Sequence, residues 1–382
     1  MKIKAFYPNY FFDVAITGAA YRIIRGMQSA EHDITLMGIA SEKSFQEKFY
    51  TDAVPKWVKK IVLKFVSIKL LTKFAHFRFV LSLKSADYAY LWPGVNLSTY
   101  QAIKNKGYKI IHECVNTHEA NSKSILDAAY AQLNLPAKHG MNAQSIDVEL
   151  KKLALSDLIF SCSPLMTDLL IKIGISRHKI LQTSYGLSAS FIANSSILQT
   201  QTKPFVNQSK LTFIFVGSIS VRKGAHLLLD YWVKANLDAN LKLVGTIESA
   251  LKPLIAQYIN QHNVTHIPFT DDLPSIYKQA DVFILPSLEE GSPLVTYLAM
   301  GAGLPMLLTP MSAGGVITNG VEGFVIEPYD AINWVNAMRK ITEDTELRTQ
   351  YSAAAKNKAS NYIWDTVAKQ RLKLLQMANN KT

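Results

Sequence analysis

The run Ala280–Leu285, followed by Pro286-Ser287-Leu288-Glu289-Glu290-Gly291-Ser292-Pro293 and then by Leu294–Met300, constrains this chain more than any other segment. The first piece is a short apolar run of the kind buried in a parallel sheet. The last reads as a helix. A strand that hands over to a helix through a polar turn is half of a βαβ unit. The turn puts carboxylates and a Gly-Ser-Pro segment at the strand's carboxyl end, where open α/β sheets bind ligands. The exposed amides and dipole of a helix start suit an anionic group such as phosphate.

The same alternation runs through the chain. Ile3–Tyr7, Asp33–Ile39, Tyr88–Trp92, Tyr108–His112, Leu158–Cys162 and Lys179–Thr183 read as strands. Helical patterns lie between them, with a first helix expected from about Ala19 to Met27. Ala193–Lys210 has the Ser, Thr, Gln and Asn content of a linker. A second series follows: strands at Leu211–Val216, Leu241–Val244, Asp281–Leu285 and Pro305–Leu308, and helices at Ala225–Val233, Leu251–Asn260, Leu294–Met300, Ile332–Ile341 and Thr366–Met377. The expected class is α/β, as two doubly wound, Rossmann-like domains facing a central cleft. The expected divisions are 1–192, a first domain; 193–210, a linker; 211–360, a second domain; and 361–382, a C-terminal helix returning to the first domain. Two facing sets of strand ends suit a transfer between two substrates.

The 382 residues are 48% hydrophobic and 18% charged, a folded and not a disordered composition. The net charge of +12 points to anionic partners. Cys114 and Cys162 sit in apolar runs and read as reduced core residues, not a disulfide or metal pair. No leader pattern opens the chain and no apolar run reaches the ~20 residues of a membrane span, so a cytoplasmic protein is expected.

The second domain opens with Phe215-Val216-Gly217-Ser218-Ile219-Ser220-Val221-Arg222-Lys223-Gly224 before a helix. Strand, glycine loop, two cations and helix start converge as a diphosphate requires. The Walker spacing is absent. The plain alternative is a solvated loop. For Glu289 and Glu290 it is a helix-start acid. Two such loops aimed at one cleft favour a phosphate and sugar site. In the first domain, Asn116-Thr117-His118-Glu119 reads as a polar loop beyond a strand, and His118 has a better claim on the cleft than His112. No metal site is expected, because no His-x-x-x-His helix or cysteine pair occurs.

Lys56–Lys84 holds Lys56, Lys59, Lys60, Lys64, Lys69, Lys73, Arg78 and Lys84 and no acid. At helical spacing, Lys56, Lys59, Lys60 and Lys64 oppose Trp57, Val58, Ile61, Phe65 and Ile68. That pattern fits an element on an anionic membrane surface, or a helix packed on its own domain. A nucleic-acid partner is not expected.

At these residues the chain resembles the retaining glycosyltransferases of family 4, bacterial group 1, with the GT-B fold. The likeness is strongest from Leu211 onward, in Phe215–Gly224, Ala280–Pro305 and Asn319–Val325 with Pro328, and weaker over Asn116–Ile192. It implies a nucleotide-sugar donor, expected to be a UDP-sugar, bound by 211–360 opposite an acceptor-side domain at 1–192, with no metal and no further cofactor. Lys223 matches the family's diphosphate lysine. Ser218 stands where an arginine is frequent, and Arg222 is the candidate replacement. Glu290 matches the glutamate beside the donor sugar and His118 a histidine lining the cleft, the two expected catalytic residues. Gly217, Ser218, Arg222, Lys223, Gly291, Ser292, Pro293 and Leu294 are the expected donor-binding set, and Gly18 matches the first domain's glycine loop. Leu298 stands where a ribose-binding glutamate is usual, and leucine cannot accept those hydrogen bonds. The implied activity is transfer of a sugar, with retention, to a glycan or lipid-linked glycan in envelope polysaccharide synthesis such as lipopolysaccharide or capsule. The enzyme would be peripheral on the inner membrane face. The alternatives are a non-catalytic sugar-binding or scaffold subunit and a nucleotide-sugar epimerase.

Overall fold

The computed structural model describes residues 1–12, 15–29, 31–41, 47–54, 66–192 and 210–380. Residues 193–209 of the expected linker at 193–210, and residues 56–65 of the basic stretch Lys56–Lys84, lie outside the described residues.

Two parallel sheets organise the chain. The first has seven strands in the order Tyr50–Asp52, Asp33–Gly38, Lys2–Phe6, Tyr88–Leu91, Lys109–Cys114, Leu158–Ser161, Ile180–Gln182. The second has six, in the order Val264–Ile267, Ala239–Val244, Leu211–Val216, Val282–Leu285, Met306–Leu308, Gly323–Val325. Alternate residues of one strand enter different cores, as the strand period of two requires. Ile3, Ala5, Tyr88 and Tyr90 face one cluster, and Phe6, Ala89 and Leu91 face another. Both faces of the first sheet are therefore covered.

Each sheet reverses its winding at one strand. Lys2–Phe6 lies between Asp33–Gly38 and Tyr88–Leu91, and Leu211–Val216 lies between Ala239–Val244 and Val282–Leu285. The crevice beyond such a reversal is where this architecture holds ligands. In the second sheet it opens beside Gly217 and Pro286.

Several element limits differ from the sequence reading. The first helix runs Ala15–Gly26 and starts earlier than Ala19, with the Thr17 hydroxyl donating to the Phe12 carbonyl at 2.7 Å. The helix expected over Leu251–Asn260 is a 3-10 turn, Ser249–Leu251, and a short helix, Lys252–Ala256. Left-handed backbone at Asn260, His262 and Asn263 turns the chain there instead. Val264–Ile267, masked in sequence by Thr265 and His266, is an edge strand with only Val264 buried. Thr345–Ala359 is a helix that the periodicity did not reveal.

The last helix, Trp364–Asn379, lies against Ala15–Gly26, where a Cβ on Gly26 would stand 2.6 Å from the Ala368 Cβ. Its Arg371 is fully buried. The guanidinium donates to Glu113 at 2.8 and 3.1 Å, to the Tyr90 hydroxyl at 3.0 Å and to the Ser184 carbonyl at 3.0 Å. Cys114 and Cys162 are both free and buried.

Candidate active site

Leu211–Val216 ends at Gly217, whose φ of 137° is a conformation side chains rarely adopt. The following turn closes at Gly224, φ 68°, which caps the helix Ala225–Ala235. A Cβ on Gly224 would lie 1.9 Å from the Pro286 carbonyl oxygen, so only glycine lets the two strand-end loops touch. The Leu288 amide then donates to the Arg222 carbonyl at 2.9 Å. Backbone contacts thus fix both loops before any side chain acts.

Between the loops Lys223 pairs with Glu290 through Oε1. Arg222 Nη1 reaches the same oxygen at 3.1 Å, and the Ser287 hydroxyl donates to it at 3.4 Å. Burial pushes the Glu290 carboxyl up, but Lys223 and Arg222 outweigh that and hold it below the usual carboxylate value. Burial also lowers Arg222, and the Glu290 and Glu289 charges more than reverse it.

The cleft is bridged. Glu289 Oε1 accepts from Thr117 at 2.9 Å and Ser122 at 3.1 Å, both in the first domain. Arg222 Nη1 donates to the Glu289 carbonyl at 3.1 Å. Tyr130 donates to Glu248, which also accepts from the Val221 amide at 3.0 Å. A Cβ on Gly291 would stand 1.9 Å from the Val115 carbonyl oxygen. Beside these bridges lies a cavity of about 1010 Å³ with walls from both domains, including Asn116, His118 and Glu149 on one side and Ser218, Arg222 and Glu248 on the other.

His118 caps the helix Glu119–Gln132, its Nδ1 accepting from the Asn121 amide at 3.3 Å. An accepting Nδ1 leaves the proton on Nε2. Burial and the Lys172 charge lower its pKa, which favours that neutral ring. Glu149 accepts from the Glu119 amide at 2.7 Å. Burial raises its carboxyl to about 7 against that bond, and the Glu119 charge adds to the rise.

The sequence-predicted residues fall into three groups. Ser218, Arg222 and His118 line the cavity. Lys223, Glu290, Gly217, Gly291, Ser292 and Pro293 form the loops behind that wall, with Lys223 and Glu290 buried, and Leu294 opens the helix Leu294–Gly301. Gly18 lies buried inside the first helix and is not among the cavity-lining residues. His112, within a strand and bonded to the Tyr100 hydroxyl at 2.8 Å, also lines the cavity. Leu298 packs half-buried on the core, and the neighbouring Thr296 hydroxyl is spent on the Ser312 carbonyl at 2.8 Å. Among the described residues no three His, Cys, Asp or Glu side chains group as a metal site would.

Sequence reasoning missed Glu248, Tyr130, Ser122, Glu149 and the Glu113–Arg371 pair. Glu248 carried a signal: Val244-Gly245 repeats the strand-end glycine of Val216-Gly217, and its loop points at the same crevice. The others follow from tertiary pairings between distant segments.

Residues 198–358 match the family model described as "Glycosyl transferases group 1". That stretch is similar to the group 1 glycosyltransferases. A glycosyltransferase from Haemophilus influenzae, itself uncharacterized, is 31% identical over 178 residues, covering 45% of this chain and 50% of that protein. This chain therefore aligns with about half the length of that relative. The Escherichia coli enzyme UDP-Gal:alpha-D-GlcNAc-diphosphoundecaprenol alpha-1,3-galactosyltransferase is 26% identical over 293 residues, covering 69% of this chain and 74% of that one. The Anabaena protein HepE, solved in complex with UDP, shares the fold with a TM-score of 0.69 at 16% identity, covering 99% of this chain and 100% of that one. The fold is GT-B, and the stretch matched by the family model includes Arg222, Lys223 and Glu290.

Proposed function

We propose that the chain transfers a sugar from a nucleotide-sugar donor, a UDP-sugar, to a glycan or lipid-linked glycan, with retention and without a metal. The observation that carries this reading is the convergence of Arg222 and Lys223 on Glu290 at the winding reversal of the second sheet. An ammonium has three N–H groups and a guanidinium five, so each can hold Glu290 and a phosphate oxygen together. Glu290 orients both cations before a ligand arrives. All its contacts named above fall on Oε1, which leaves Oε2 to accept from a sugar hydroxyl.

In the transfer, the bond from the anomeric carbon to the diphosphate breaks. The acceptor hydroxyl oxygen bonds that carbon on the face the diphosphate leaves, and its proton passes to the departing phosphate oxygen. Arg222 and Lys223 stabilise the charge left on the nucleoside diphosphate, and a preorganised donor of this kind lowers the barrier by roughly 3 kcal/mol. His118, neutral with Nε2 protonated, positions a hydroxyl. The UDP bound by HepE supports the donor class, and the E. coli relative, named for a diphosphoundecaprenol-linked acceptor, supports a lipid-linked acceptor.

Leu298 favours a second reading, a non-catalytic sugar-binding subunit, because it offers a ribose no acceptor. A thermal-shift panel of UDP-, GDP- and ADP-sugars, followed by assay of nucleotide release, separates the two. A shift with one nucleotide and slow release supports the transferase. No shift with any nucleotide favours the non-catalytic subunit and rejects the transferase.

A further inference from the structure

The helix Ile68–Ser82 is apolar on two opposite sides. One side, Leu71, Ala75, His76 and Phe79, is buried. Phe79 stacks on Phe6 at 4.6 Å, His76 meets the Thr99 hydroxyl at 2.8 Å, and Arg78 donates to the Ala53 carbonyl at 2.5 Å. These contacts fix the helix on the first sheet. The other side carries Leu70, Phe74, Phe77 and Leu81 at intervals of four, three and four residues. That spacing puts them on one stripe. They are 58%, 44%, 62% and 48% exposed, although a surface helix ordinarily turns a polar face to water. Single exposed apolar residues are unremarkable, but a contiguous stripe marks an interaction site.

The charges around the stripe have one sign. Lys69 and Lys73 are exposed along one flank, Arg78 lies on the other, and Lys84 follows the helix end. From Val66 to Ala86 no Asp or Glu occurs. Two copies facing each other here would bring like charges together. An anionic lipid surface satisfies both features, taking the apolar side chains into its headgroup boundary and pairing with the cations.

We propose that Leu70, Phe74, Phe77 and Leu81, framed by Lys69, Lys73, Arg78 and Lys84, form a docking face for an anionic bilayer. The helix lies in the plane of that surface and does not cross it. No helix among the described residues is long and apolar enough to cross a membrane. The face stands on its own geometry, so its failure would leave the nucleotide-sugar reading untouched.

Vesicle flotation of the full chain tests it, with phosphatidylcholine vesicles compared with phosphatidylcholine–phosphatidylglycerol vesicles. The protein is expected to float about tenfold more with the anionic vesicles, and less as salt is raised. The double variant Phe74→Ser/Phe77→Ser, and separately Lys69→Glu/Lys73→Glu, should each cut flotation about tenfold or more while keeping the wild-type unfolding midpoint. Wild-type protein that stays in solution with both vesicles overturns the proposal, as does a serine variant that floats equally well. So does a serine variant with a sharply lowered midpoint, since another part of the chain would then cover the stripe. A wild-type dimer that the serine substitutions convert to monomer would assign the face to a second copy and likewise overturn it.

Discussion

Thr117 of the first domain donates its hydroxyl to Glu289 of the second at 2.9 Å, directly beside the cavity. Ser122 shares the same carboxylate oxygen, and Arg222 approaches the other at 3.5 Å. Glu289 therefore ties the domains together and at once steadies Arg222, a proposed phosphate-binding residue. Glu289→Ala leaves buried hydroxyls short of an acceptor, a defect that costs about 1–3 kcal/mol. Urea unfolding should show that loss, and Glu289→Gln, which keeps an acceptor oxygen, should lose less. Equal stability of all three proteins would refute the bridge.

Lys223 and Glu290 form one unit, and their substitutions should not add. Lys223→Ala and Glu290→Ala are each expected to lower turnover at least about tenfold, or ~1.4 kcal/mol of barrier. The double variant should fall short of the product of the two losses, because both remove the same pair. Initial rates of nucleotide release measure this. Unchanged rates in both single variants would reject the assignment.

Glu149 should make stability fall as pH rises toward neutral. Its carboxyl is raised to about 7 in the folded chain, so between the ordinary carboxylate value and about 7 the folded state binds more protons than the unfolded one. Stability then decreases with pH across that window. Glu149→Gln keeps an acceptor for the Glu119 amide and removes the titration. It should stabilise the chain at pH 8 by up to about 3 kcal/mol and change little at pH 4. Parallel pH profiles for the two proteins would contradict this.

Arg371 anchors the last helix inside the first domain. Arg371→Met strands the fully buried Glu113 charge, and breaking such a pair costs about 3–5 kcal/mol. Adding Glu113→Gln should restore part of the loss, since the remaining groups are then neutral. A double variant no more stable than Arg371→Met would argue against the pair as the cause.

The sheets were legible because their strands are short apolar runs with sharp polar ends, as in Leu211–Val216 and Val282–Leu285. The donor loops were legible because their glycines, cations and acids are contiguous in sequence. Other features depend on contacts that periodicity does not encode. Val264–Ile267 alternates weakly because it lies at an edge, and Lys252–Ala256 is cut short by left-handed residues beyond it. Glu248 and Tyr130 meet from segments 118 residues apart. Gly18 looked like a loop glycine because a small residue beside Ala19 and Ala20 reads equally as a turn or as a tightly packed helix face.

The account rests on Arg222 and Lys223 gripping a nucleoside diphosphate at the cleft. Titration calorimetry of UDP against wild type, Arg222→Ala and Lys223→Ala tests it directly. Saturable binding by wild type, at least about tenfold weaker in each variant, is the expected result. Equal affinity in all three proteins, or no heat with wild type, would contradict it.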